Sequence, residues 1–201
     1  MKLYFAPRTR AVRVAWVLEE LDQPYELERF ELGDPAMRTP EFRAIHPMGR
    51  VPVLEDGETR LFESGAIVEY LLERTAGHTL RPSPDSSHFA DYLQWFHYCE
   101  GMIMPQINIL TVETILLPPE RRTEVNVKRA TKLLGQMLAP VNDHMSDREY
   151  LAGEFSGADI MTGSAVISAK GVGIDFAALP NLEPYIERLT RRAAYQRAIS
   201  L

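Results

Sequence analysis

The chain has 201 residues, 45% of them apolar, and a formal net charge of −6. That is enough apolar material to bury a core, in one large domain or two small ones, and too much for a disordered chain. The acidic balance, without clustered Lys and Arg, argues against a nucleic-acid partner, and no apolar run approaches the roughly 18 residues needed to cross a bilayer. The opening Met1-Lys2-Leu3-Tyr4-Phe5 runs straight into strand-like sequence, so no cleaved leader is expected. A lone Cys99 fits a reducing compartment.

Lys2 to Phe5 reads as a short strand stopped by Ala6-Pro7. From Thr9 to Leu21 the apolar residues Ala11, Val14, Ala15, Leu18 and Leu21 recur at the spacing of an amphipathic helix that Thr9 can cap. Tyr25 to Phe30 alternates like a strand, which makes the opening a right-handed βαβ unit with a parallel pair. Glu31 to Pro40, with Gly33, Pro35 and Pro40, reads as a loop. Val51 to Glu55 and Thr59 to Phe62 flank Asp56-Gly57, a strong hairpin signal, and a helix follows from Ser64 to Arg74.

Gly77 to Ser87 is rich in Gly, Pro, Ser and His and reads as a linker between a domain at 1–76 and a second at 88–201. Beyond it only helical patterns occur: Ser87 to Met104, Asn108 to Leu117, Glu120 to Leu138 ending near Pro140, Gly157 to Ala169, Asn181 to Thr190 and Ala193 to Ser200. The second domain is therefore expected to be all-α. Ser156 and Asp159 have capping-box spacing, with Asp in place of Glu, at the start of one of these helices.

The stretch Gly49-Arg50-Val51-Pro52-Val53-Leu54 organises the rest. A proline at the front of a strand cannot donate to the ladder, and a cis Val51-Pro52 bond is one justification for it. The Val51 main-chain groups would then face outward to hold an extended peptide. Glu63-Ser64, at a helix start, offers a hydroxyl and free N–H groups to a carboxylate and an acid to an ammonium. Together they describe a pocket for an α-amino-acid head followed by peptide backbone.

The ordered set His46-Pro47-Met48-Gly49-Arg50-Val51-Pro52-Val53-Leu54, then Glu63-Ser64-Gly65-Ala66-Ile67 through Tyr70-Leu71, resembles the cytosolic glutathione transferases, in particular bacterial ones. His46 stands where that family usually has asparagine. Leu179-Pro180-Asn181-Leu182 through Gln196 resembles the family's C-terminal pattern, with Ala193-Ala194 replacing a frequent arginine-proline.

The resemblance implies an α/β thioredoxin-like N-terminal domain (βαβ-ββα), an all-helical C-terminal domain and a cytoplasmic homodimer. It implies glutathione as co-substrate, no metal, and a small hydrophobic electrophile. Glutathione would be held by Arg50, Val51, Pro52, Glu63 and Ser64, with Arg38 a looser candidate for its glycine carboxylate. Thr9 falls where the family keeps a thiolate-stabilising side chain. Other alignments place that position at Ala6 or Arg10, and Tyr4, Arg8 and Arg10 are further candidates. Tyr92, Trp95 and Met102, with Tyr98 and Met104 nearby, either border the electrophile pocket or are helix core. Conjugation is the activity implied. Disulfide reduction, dehalogenation, isomerisation, or a non-catalytic binding role on the same fold stay open. The histidines show no metal-ligand spacing, and Gly171-Val172-Gly173 lacks the third glycine of a dinucleotide loop.

Overall fold

The computed structural model describes residues 1–201 and divides into two units, Met1–His78 with Thr190–Leu201, and Thr79–Leu189. The first unit is built on a mixed sheet in the order β2-β1-β3-β4. Strand β1 (Lys2–Phe5) runs parallel to β2 (Glu26–Arg29) and antiparallel to β3 (Val53–Asp56), which forms a hairpin with β4 (Thr59–Phe62). Helix α1 (Ala11–Glu20) makes the crossover between β1 and β2, burying Val14, Ala15, Trp16, Val17 and Leu18, and α3 (Ser64–Arg74) packs beside it. The βαβ, hairpin and helix order expected from the pattern, and the thioredoxin-like arrangement that the resemblance implies, are the ones observed.

Two differences concern this unit. The segment read as a loop up to Pro40 contains a 3₁₀ turn (Pro35–Arg38), and helix α2 (Pro40–Ile45) follows directly. Both prolines stand at the start of their turns, where a missing N–H costs nothing, and Asp34 and Thr39 cap them by accepting from Ala36 and Phe42 N–H. The C-terminal helix α9 (Ala193–Ile199), expected with the second domain, instead belongs to the first unit. Tyr195 meets the Trp16 indole edge-on at 4.9 Å, and Arg192 grips Glu20 with two bonds of 2.6 and 2.8 Å.

The second unit is all-helical. Its first helical run is continuous from α4 (Phe89–Tyr98) through a π-helical stretch (Cys99–Ile103) into α5 (Met104–Thr111) and a second π-helical stretch (Val112–Leu116). The expected break between Met104 and Asn108 is absent, because Pro105 falls in the first turn of α5. Helix α6 (Glu124–His144) begins later and ends later than its sequence suggests. Glu113 accepts from the Thr123 N–H and the Asn126 amide at 2.7 Å each, which holds Pro119–Arg121 as a separate turn before the helix. At the other end Pro140 removes one ladder bond, yet burial of Val141, Asn142 and Met145 keeps the last turns in place. A π-helical stretch (Asp159–Gly163), α7 (Ser164–Gly171) and α8 (Leu182–Thr190) complete it.

Candidate functional site

Sheet register brings the sequence-predicted residues together. Val53, the first residue of β3, pairs with Phe62, the last of β4, so the chain enters β3 from Val51-Pro52 and leaves β4 into Glu63-Ser64 at the same end of the sheet. Val53 also pairs with Tyr4, so β1 leaves the sheet toward the turn that holds Thr9 at that same end. Thr9, Val51, Glu63 and Ser64 therefore all stand at one end of the sheet. Helices α1 and α3 both begin there, with their N-terminal N–H groups and positive dipole ends.

The Val51–Pro52 bond is cis, and β3 starts only at Val53. Val51 packs against the apolar cluster of Tyr4, Met37, Phe42 and Val53, to which helix α2 contributes Phe42. The preceding turn is closed by two bonds to His46: its carbonyl accepts from Gly49 N–H at 2.8 Å and its Nδ1 from Met48 N–H at 3.1 Å. Only glycine fits at position 49, where φ is +61° and a Cβ would lie 2.2 Å from the Met37 carbonyl oxygen. Arg50 is exposed, and its charge and that of Glu63 both act on the His46 ring, which places them around the same turn.

Glu63 precedes α3 with φ +78°, a left-handed conformation that costs a non-glycine residue on the order of 1–3 kcal/mol. That twist leaves its carboxylate exposed while Ser64, the first residue of α3, is buried. Ser64 Oγ accepts from the Arg13 guanidinium of α1 at 3.3 Å.

Thr9 Oγ1 donates to the Ala6 carbonyl at 2.7 Å and accepts from Ala11 N–H at 3.2 Å, closing the turn into α1, whose capping position is Arg10. Its hydrogen is thus held by the turn. Arg8 occupies a left-handed φ of +59° and is exposed. Tyr4 is the one thiolate candidate that the geometry turns away. Its hydroxyl donates to Glu55 at 3.2 Å, and Glu55 pairs with Lys2 at the opposite end of β1. Burial and the Glu55 charge push the phenol up. Arg38 lies exposed in the 3₁₀ turn.

The three residues offered for an electrophile pocket separate. Tyr92 and Trp95 are buried in the second unit, Tyr92 against Phe89 and Phe96, Trp95 against Tyr98 and the His144 ring at 4.7 Å. They serve as helix core, because residues 92, 95, 96 and 99 fall on the inner face. Met102 is exposed. No three His, Cys, Asp or Glu side chains are grouped to hold a metal ion, and no helix is long and apolar enough to cross a membrane.

Sequence reasoning missed Arg13 and α2. Arg13 sits among apolar residues of an amphipathic helix, where a cation would ordinarily be read as surface; its place within Arg13-Val14-Ala15-Trp16 was the available signal.

A family model for the glutathione S-transferase N-terminal domain matches residues 1–73. The chain is 31% identical to the disulfide-bond oxidoreductase YfcG of Escherichia coli, over 98% of this chain and 93% of that one. It is 30% identical to glutathione S-transferase 3 of Schizosaccharomyces pombe, over 78% and 69%. Among solved structures, the theta class glutathione S-transferase from Xanthomonas axonopodis pv. citri, with glutathione bound, superposes with a TM-score of 0.87 at 28% identity, over 100% of this chain and 97% of that one. The fold is thus that of a two-part thioredoxin-like and helical protein. The chain belongs to the glutathione S-transferase family, a family of transferase enzymes.

Proposed function

We propose that this chain binds glutathione and conjugates its thiolate to small hydrophobic electrophiles. The observation that supports the reading is that Val51-Pro52, which leads into β3, and Glu63-Ser64, which follows β4, lie at the sheet end where α1 and α3 begin. The Val51 main chain receives the cysteinyl backbone as an added strand, Ser64 and the α3 N-terminus receive the γ-glutamyl carboxylate, and Glu63 receives its ammonium. Pro52 shapes the bend that presents Val51, and Arg50 receives the glycine carboxylate.

Lowering a thiol pKa from about 8.5 by two units requires about 2.7 kcal/mol of preferential anion binding. The first N–H groups of α1 and a reoriented Thr9 hydroxyl supply it, at the turn that follows β1. The thiolate then attacks the electrophilic carbon, its leaving group departs as an anion, and no protein nucleophile is consumed. Cytosolic placement and a homodimer accompany this reading, as the family resemblance implies.

Retention on immobilised glutathione, weakened in Ser64→Ala and Glu63→Ala, tests the peptide pocket; full retention by both variants sinks it. Turnover of a chlorinated nitroaromatic tests conjugation. The similarity to a disulfide-bond oxidoreductase favours one second reading, reduction of disulfides. Because Cys99 is buried, that reaction would run through two glutathione thiolates: the first breaks the substrate S–S bond, forming a mixed disulfide and expelling one thiolate, and the second attacks that mixed disulfide, giving glutathione disulfide and expelling the other. Turnover of a small organic disulfide without turnover of the nitroaromatic would select it.

A further inference from the structure

Four serine and threonine side chains are buried: Ser64, Ser156, Thr162 and Ser164. Three give their hydrogen to the chain itself, Ser156 to Asp159, Thr162 to the Trp95 carbonyl and Ser164 to the Met161 carbonyl. Ser64 differs. Its bond within the chain is one it receives, from Nη1 of Arg13 at 3.3 Å. A guanidinium carries donors and no acceptor, so in this pair Ser64 has only the accepting role. Its own hydrogen has no acceptor within the chain.

Arg13 is 2% exposed, one turn into α1, and Ser64, one of its partners, lies 51 positions away on α3. A guanidinium keeps its charge wherever it is buried. It therefore stands as a permanent positive charge behind the N-terminus of an 11-residue helix that is itself positive at that end.

We propose that Arg13 is a positioning residue for Ser64: it fills a lone pair of the hydroxyl, turns the hydroxyl hydrogen toward the site, and adds fixed positive charge beneath an incoming carboxylate. This rests on the glutathione reading above and assigns the γ-glutamyl α-carboxylate as the group received. A charge-assisted bond from Ser64 is stronger than a neutral one, and the shielded position of both side chains amplifies it. Lysine at position 13 keeps a charge and loses the rigid planar fork, so it restores only part of the effect.

The test measures binding of two probes by calorimetry: glutathione, and the analogue in which 4-aminobutyrate replaces the γ-glutamyl group, which lacks the α-carboxylate. In Arg13→Met we expect glutathione to bind about tenfold more weakly, equivalent to about 1.4 kcal/mol, and the analogue to bind as it does to the parent. In a Ser64→Ala background, Arg13→Met should cost much less than it does alone. Arg13→Lys should fall between parent and Arg13→Met, with KM for glutathione raised and kcat little changed. A parent that binds no glutathione overturns the glutathione reading and this proposal with it. A parent that binds, with equal losses for both probes or additive losses in the double variant, overturns the Arg13 role alone. Loss of folding in both Arg13→Met and Arg13→Lys, monitored by thermal melting, makes Arg13 a core residue and overturns it as well.

Discussion

Tyr185 donates its hydroxyl to Oδ1 of Asp159 at 2.9 Å, across a carboxylate that is wholly buried. Asp159 also accepts from the N–H groups of Leu151 and Ser156 and from the Ser156 hydroxyl. The expected capping pair is therefore the centre of a larger polar cluster that ties α8 and the 151–156 loop to the start of the 159–163 stretch. Burial outweighs these four donors and raises the carboxyl from 3.8 to about 6.

Its effect on stability follows from proton counting. Between about pH 4 and pH 6 the folded state keeps a proton that the unfolded state has lost, so this group lowers stability as pH rises through that window. The shift of about two units corresponds to roughly 3 kcal/mol at full ionisation. Asp159→Asn has no such titration. We expect the parent's stability relative to that variant, from urea unfolding, to be greater at pH 4.5 than at pH 7.5 by about 2 kcal/mol, the first part of the loss having occurred below pH 4.5. A difference independent of pH would refute the assignment.

His46 gives the opposite sign. Its Nδ1 accepts the Met48 N–H, which requires the neutral ring, and desolvation lowers its pKa below the usual 6.5. The charge of Glu63 acts upward on it and that of Arg50 downward. As pH falls below about 6.5 the unfolded state takes up the proton first, so this contribution is present above that pH and lost beneath it. His46→Asn should flatten the acid side of the profile from pH 7 to 5. Glutathione affinity measured over the same range should also become less pH-dependent, because the turn leading to Val51 no longer titrates.

How much of this was legible follows from where each element gets its stability. The βαβ opening, the Asp56-Gly57 hairpin and α3 are set by local periodicity and turn chemistry, and they stand within a few residues of their sequence limits. Helix α2 was hidden because Pro35 and Pro40 act as breakers in a linear reading and as helix starters once Asp34 and Thr39 cap them. The place of α9 depends on partners more than 170 residues away, Glu19 and Glu20 of α1, which no local window contains. At the site, Val51, Glu63 and Ser64 were legible from motif and spacing. Arg13 was not, because its role lies in a bond to α3 rather than in its own helix.

The Arg192–Glu20 pair predicts how α9 is held. Glu20 also accepts from the Trp16 indole N–H at 2.9 Å, so the carboxylate joins the helix face and the C-terminal segment in one network. Arg192→Ala should destabilise the protein by about 1–3 kcal/mol, less at high salt. Arg192→Lys should recover only part of this, since a lysine cannot form the two parallel bonds. Denaturant midpoints of the three proteins at low and high salt check both statements, and an unchanged midpoint in Arg192→Ala would show that α9 docks through Tyr195 and its neighbours alone.

Thr9 carries two separable effects. As a local cap it accepts from Ala11 N–H, and removing it in Thr9→Ala should cost about 1 kcal/mol of stability. As a donor it has to release the Ala6 carbonyl before it can reach a sulfur anion, so part of the thiolate stabilisation is offset by that lost bond. The expected drop in kcat/KM for thiol conjugation is therefore modest, about tenfold, the equivalent of about 1.4 kcal/mol. The pKa of bound glutathione, followed by thiolate absorbance, should rise by about one unit in step with it. Thr9→Ser keeps both the cap and the donor and should behave as the parent in both measurements. If Thr9→Ala loses stability while the thiol pKa and rate stay put, the residue is a cap only, and the N–H groups at the start of α1 hold the sulfur without it.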